Sequence, residues 1–165
     1  MAVGPAVVVM GVSGSGKTTV GRALARASGA TFVDADDLHP PENLTRMASG
    51  RPLDDEARAP WLDAVAAAIA RPRSGRGLVV ACSALRRRYR DRLRQAGPLR
   101  FVLLDVPEEE LRRRLAARSG HYMPVKLLAD QLAVLERPGP EEPDAVVVDA
   151  TVPPDELVGS LLAAL

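Results

Sequence analysis

The 165-residue chain is short of lysine, cysteine, histidine and aromatic residues, and each shortage excludes something. Its one cysteine, Cys82, has no partner within the chain, so no disulfide framework can hold the fold, as suits a reducing compartment. Five aromatic residues, 3% of the chain, leave few platforms on which nucleic-acid bases could stack. A formal net charge of +1 provides no field to attract a polyanion. No apolar run approaches the roughly 18 residues of a membrane span; the runs are short, such as residues 64–70. No basic region precedes the first apolar stretch, Lys17 being the first cation, which argues against a secretory signal. These absences predict a soluble, cytoplasmic protein with no nucleic-acid or membrane partner.

Arginine is abundant, supplying 20 of the 22 cations, and 21 acidic residues balance them. Most of these arginines read as solvated counterparts of the acids. With lysine reduced to Lys17 and Lys126, the place of each lysine becomes informative. Length and a 47% hydrophobic content predict one compact domain with a real core.

Along the chain, β-like runs alternate with helical stretches. Residues 6–10 (AVVVM) form a continuous apolar run, as a parallel strand covered on both faces requires. Further strands are predicted over 31–33, 78–82, 101–106 and 145–149. Helices are predicted over 17–28 (ended by Gly29), 42–48, 85–95, 108–118 and 155–165, with Pro107 at a first helical position. Asp54 can cap another helix that carries Trp61, Val65 and Ile69 on one face, and Leu128, Leu132 and Leu135 stripe one more. The alternation predicts an α/β fold, an open parallel sheet flanked by helices.

Gly11-Val12-Ser13-Gly14-Ser15-Gly16-Lys17-Thr18 matches the phosphate-binding pattern G-x-x-x-x-G-K-[ST] in full, between a strand and a helix. The glycines let backbone N–H groups curl round phosphate oxygens at a helix N-terminus. Lys17 would reach the β- and γ-phosphates of ATP, and the Thr18 hydroxyl would ligate Mg²⁺. This composition would produce the pattern by accident roughly once in a thousand such chains. The loop does not identify the phosphoryl acceptor. Asp34 and Asp36, one residue apart after the second strand, would share a face of an extended segment. One could orient and deprotonate a hydroxyl while the other supports a metal, or the pair could be an acidic turn or cap. His39 could hydrogen-bond substrate or serve the structure. A small-molecule kinase, a non-catalytic nucleotide-binding regulator and a nucleic-acid contact along Arg86–Arg94 stay open at this point.

Several blocks in order resemble the thermoresistant-type gluconokinases. They are Asp34-Ala35-Asp36-Asp37-Leu38-His39-Pro40 with Asn43, residues 47–53 (MASGRPL), residues 54–62 (DDEARAPWL), and Cys82-Ser83-Ala84-Leu85 with Tyr89-Arg90-Asp91. Residues 114–122 (RLAARSGHY) resemble that family's lid, and the stretch from Leu127 through Gln131 and Glu136 to Pro138 its nucleotide-side segment. Tyr122, where phenylalanine is common, Leu132 in place of an aromatic, and the basic Arg86-Arg87-Arg88 are mild departures. The resemblance implies a P-loop fold related to shikimate and nucleoside-monophosphate kinases, with five parallel strands and a mobile lid. The single domain would span 1–165, with a substrate-binding segment near 36–72 and a lid near 114–126. It implies ATP- and Mg²⁺-dependent phosphorylation of the 6-hydroxyl of D-gluconate, and a homodimer. ATP would lie on Gly11, Ser13, Gly14, Ser15, Gly16, Lys17, Thr18, Thr19, Arg114 and Pro138, with Mg²⁺ on Thr18 and Asp34. Gluconate would meet Asp34, Asp36, His39, Arg58, Ser83, Arg87 and His121, with Arg58 clamping its carboxylate. Lys17, Asp36 and Arg118 would be catalytic.

Overall fold

The computed structural model describes residues 5–118 and 125–165. Strand β1 (Ala6–Met10) leads through the phosphate loop into helix α1 (Lys17–Ser28), which Gly29 ends in the left-handed conformation. Strand β2 (Thr31–Asp34) runs into a 3-10 turn at Ala35–Leu38, then α2 (Pro41–Ala48) and α3 (Asp55–Ala70). There follow β3 (Leu78–Ala81), α4 (Arg87–Arg94), β4 (Leu99–Asp105) and α5 (Glu108–Ala117). Helix α6 (Val125–Val134), β5 (Ala145–Asp149) and α7 (Pro154–Ala164) complete the order.

The five strands form one parallel sheet in the order β2-β3-β1-β4-β5. The continuous apolar runs have a simple cause, since alternate side chains serve two cores. Val8, Met10, Val80 and Phe101 pack with Trp61, Val65 and Ile69 of α3 and Tyr89 and Leu93 of α4. Val9, Val79 and Val102 pack on the other face with Val20 and Leu24 of α1, Leu111 of α5 and Leu157 and Leu161 of α7. The chain leaves β1 toward one edge and β3 toward the other. A crevice therefore opens at the carboxyl ends of these neighbours, the place where open parallel sheets bind ligands.

Three local expectations are corrected. Helix α4 starts at Arg87 rather than Leu85, because Ala84 adopts φ 44° and Arg86 is extended. Pro107 caps α5 from outside its first turn. Asp34 and Asp36 do not share an extended face, because the chain turns at Ala35 and Asp34 caps the turn through the N–H of Asp36.

The largest correction concerns the arginine run. Arg90 is fully buried, not solvated. Its guanidinium forms a fork with Glu142, both bonds 2.7 Å. It also donates to the carbonyls of Ala84, Leu85 and Glu136. Arg94 reinforces the cluster, binding Glu142 and Asp144 and lying over the Phe101 ring. The guanidiniums of Arg90 and Arg94 hold the Glu142 carboxyl down at about 2. A depressed carboxylate stabilises the fold above its ordinary value near 4.5, and that stabilisation disappears as pH falls toward 2. We expect Glu142→Gln to destabilise the protein by about 3–5 kcal/mol at pH 7, since it leaves Arg90 buried without its counter-charge. Denaturant unfolding should show the gap between wild type and variant closing between pH 5 and 2. A variant within about 1 kcal/mol of wild type at pH 7 would show that the pair is not a structural strut.

Candidate active site

The crevice is a cleft of about 390 Å³ lined from four sides. Ser13 and Lys17 come from the phosphate loop and α1, Asp36 and His39 from the turn after β2, and Arg58 and Trp61 from α3. Ser83 follows β3, and Leu127, Asp130, Gln131 and Val134 of α6 form the facing wall. Its volume lies within the range of roughly 300–1,000 Å³ usual for small-molecule sites.

The phosphate loop is built to hold an anion. Gly14 and Gly16 have φ of 86° and 97°, in the left-handed region that glycine tolerates. A Cβ at Gly11 would meet Ser15 Oγ at 2.7 Å. Gly16 caps α1 without any side-chain hydrogen bond, and no acid lies in the first turn. Its free N–H groups and dipole thus face the loop unneutralised. Ser15 Oγ is buried with no partner among the described residues. These features fit polyphosphate.

Lys17 Nζ donates to the Val12 carbonyl at 3.1 Å. Desolvation pulls its pKa below the usual lysine value, with Asp36 and Asp34 opposing the shift and Arg118 adding to it. Burial pushes the Asp36 carboxyl above the ordinary carboxylate value against the pull of Lys17. The Thr18 hydroxyl donates to Asp34 Oδ2 at 3.0 Å, so the two expected metal ligands are already in contact. This pair of hard oxygen donors fits a divalent cation.

On the acceptor side, Arg58 lies over the Tyr89 ring and donates to its hydroxyl at 2.9 Å. Tyr89 in turn donates to Asp55. Arg58 is thereby aimed into the cleft, where Arg51 is a second guanidinium. His39 is stacked on Trp61, and burial followed by the charge of Arg58 lowers its pKa to about 4.

Not every expected residue meets in the cleft. Arg87 is exposed beside Asp91, 3.9 Å away, and does not line the site. Thr19 is exposed on α1, and Pro138 lies in the segment after α6 without lining the cleft. Arg114, expected to contact ATP, bonds the protein itself. It donates to the carbonyls of Gly14, Ser15 and Ala150 and to Glu110, bracing the loop from behind. Arg118 follows α5 in extended conformation, so it does not share a helical face with Arg114, though Lys17 feels its charge. His121 lies outside the described residues. Two polar residues went without assigned roles. Gln131 Oε1 accepts the Ser13 N–H at 2.7 Å, and its sequence signal is its place in the stretch that resembles the family's nucleotide-side segment. Asn43 bonds His39 and the Ala57 carbonyl.

The chain matches the family model described as AAA domain over residues 7–138. It is 43% identical over 157 residues to the thermoresistant gluconokinase of Escherichia coli (strain K12), covering 94% of this chain and 90% of that protein. The crystal structure of a gluconokinase from Sinorhizobium meliloti 1021 superposes with a TM-score of 0.87 at 47% identity, covering 99% of this chain and 92% of that one. Shikimate kinase from Aquifex aeolicus, at 18% identity and a TM-score of 0.59, shares the fold; it covers 96% of this chain and 94% of its own.

The bracing role of Arg114 can be separated from a direct phosphate contact. We expect Arg114→Ala to destabilise the ligand-free protein by about 1–3 kcal/mol and also to weaken nucleotide binding. Unchanged ligand-free stability with weakened binding would identify Arg114 as a phosphate ligand instead.

Proposed function

The chain belongs to the gluconokinase family, and from that premise we propose a division of labour among the residues of its cleft. The enzyme transfers a phosphoryl group from ATP to D-gluconate. The observation that carries the assignment of roles is the meeting of an anion-ready phosphate loop and a guanidinium-bearing polar pocket at the carboxylate Asp36, with Asp130 on the facing wall.

Loop N–H groups and Lys17 hold the ATP phosphates. Arg58 takes the gluconate carboxylate through two parallel hydrogen bonds, with Arg51 close enough to assist. Ser83 and His39 meet the hydroxyls along the chain of the sugar acid. The 6-hydroxyl is thereby placed toward Asp36, which orients it and accepts its proton. The oxygen attacks the γ-phosphorus in line, the bond to the β–γ bridging oxygen breaks, and 6-phosphogluconate and ADP leave. Lys17, and Arg118 from the end of α5, offset charge on the equatorial oxygens. Thr18 and Asp34, in contact through the Thr18 hydroxyl, would hold Mg²⁺. When bound, that cation neutralises the charge of the β- and γ-oxygens. The expected lid, 114–126, includes residues 119–124, which lie outside the described residues.

Acceptor identity and the role of Asp36 are tested together. ADP release should be stimulated by gluconate and not by shikimate or buffer. Asp36→Asn should lower kcat by at least about a hundredfold with ATP affinity retained. Loss of ATP affinity with kcat unchanged would remove Asp36 from the acceptor side, and release independent of gluconate would overturn the reading.

A further inference from the structure

We infer that Asn43 is a positioning residue that fixes His39 as an Nε2–H hydrogen-bond donor in the acceptor half of the cleft. The inference deepens the gluconate reading by assigning His39 a donor's role and leaving proton acceptance to Asp36.

The geometry leaves one consistent hydrogen-bond arrangement. Asn43 is 4% exposed, in the first turn of α2. One atom of its side-chain amide lies 2.9 Å from the Ala57 carbonyl oxygen and 3.2 Å from His39 Nδ1. A backbone carbonyl only accepts, so the atom facing it is the amide nitrogen; the flipped amide would set two carbonyl oxygens against each other. One amide hydrogen goes to Ala57 and the other to Nδ1. That nitrogen therefore accepts, and an uncharged imidazole must then carry its proton on Nε2.

The ring is fixed in orientation as well as in tautomer. It stacks on Trp61 with centroids 4.4 Å apart and planes 10° apart. Trp61 is 2% exposed and donates its Nε1–H to the Ala35 carbonyl at 2.7 Å. The backbone of the 3-10 turn thus holds the indole, the indole holds the imidazole plane, and α2 sets the proton. Arg58 of α3 is the charge that acts on the ring, while Lys17 of α1 and Asp36 of the turn line the same cleft. Burial and Arg58 keep the ring uncharged down to about pH 4.

The chemical consequence is specific. With Nδ1 accepting and Nε2 protonated, the ring has no lone pair free to take a proton from substrate. Nε2–H can only donate, so it selects an acceptor that presents a hydroxyl or carboxylate oxygen there. His39 then serves specificity and alignment.

The test reads the tautomer directly and separately from activity. In wild-type protein carrying ¹⁵N-labelled histidine, long-range ¹H–¹⁵N correlations report both rings, and His39→Gln assigns the relevant set. We expect the Nε2–H form with no titration between about pH 5 and 8. An Nδ1–H form, or ordinary titration near 6.5, would overturn the inference. In Asn43→Asp the carboxylate accepts where the amide donated, so the proton should move to Nδ1 and the ring should titrate in the neutral range. kcat/KM for gluconate should then fall on the order of tenfold with a new pH dependence in that range, with KM for ATP unchanged. A loss uniform across pH would mean that Asn43 only packs, and would overturn the positioning role. If the variant does not fold, the wild-type spectrum decides. Failure of gluconate as acceptor alongside an Nε2–H spectrum would refute the substrate reading and leave the tautomer standing. Gluconate turnover with an Nδ1–H ring would do the reverse.

Discussion

A guanidinium sealed inside the protein holds the two walls of the cleft together. Arg90 uses all five N–H groups, and its acceptors come from both sides of the site. Ala84 and Leu85 lie on the segment that leaves β3 past Ser83; Glu136 lies just beyond α6, and Glu142 just before β5. The Leu85 carbonyl also accepts the Glu136 N–H at 2.7 Å, so the two segments are joined directly beside the ion pair. The wall bearing Ser83 is thus pinned to the wall bearing Gln131, and Gln131 touches the phosphate loop at Ser13. Burying such a pair need not stabilise the fold relative to an apolar core, because desolvation opposes attraction. What it does is make any other arrangement costly, since displaced segments would leave Arg90 charged and unpaired in the interior. The same bonds hold Ala84 at its positive φ, a conformation uncommon for alanine.

The electrostatics of the cleft point the same way. Lys17 and Asp36 are opposite charges that support one another, yet desolvation dominates both, lowering the first pKa and raising the second. Their mutual attraction does not replace the water each has lost. A polyphosphate beside Lys17 would bring counter-charge and stabilise the ammonium against its desolvation. The Ser15 hydroxyl, buried without a partner among the described residues, and the N-terminus of α1, without a side-chain cap, favour the same ligand. Arg114, behind the loop, keeps its carbonyls turned away from the cleft.

The sheet and the phosphate loop were legible in the sequence because their determinants are local. Apolar runs report burial on both faces, and glycine spacing reports the loop. The scarcity of lysine made Lys17 conspicuous. The arginines were illegible for the opposite reason. In the run from Arg86 to Arg94, nothing within a few residues separates Arg87, exposed beside Asp91, from Arg90, buried against a carboxylate 52 positions later. Nothing local to Arg114 announces its bond to Ala150, 36 positions on. Asp36 lines the cleft while Asp34 bonds Thr18 and caps the turn, and the expected extended geometry fails because a 3-10 turn has no apolar period to announce it. Residues that act through others, such as Asn43 and Gln131, carry ordinary surface chemistry. The family resemblance includes both, but only their partners show what they do.

The shortage of aromatic rings has a structural counterpart. Each of the four rings among the described residues lies against a guanidinium or an imidazole: Phe32 by Arg22, Trp61 by His39, Tyr89 by Arg58 and Arg88, and Phe101 by Arg94. A flat ring anchored in the core gives a planar cation a surface to lie on, worth roughly 0.5–1 kcal/mol at exposed sites and more when desolvated. Its larger effect is on orientation, because a stacked guanidinium retains few rotations and its fork points one way. Lysine, with a compact charge on a flexible stem, would gain little from such a surface. The preference for arginine and the sparing use of aromatics therefore meet in the cleft. Tyr89 sets the plane of Arg58, the proposed reader of the carboxylate, and Trp61 sets the plane of His39, proposed to meet the hydroxyls. An anionic polyol offers few apolar atoms to grip, so its recognition depends on donors whose directions are fixed before it arrives.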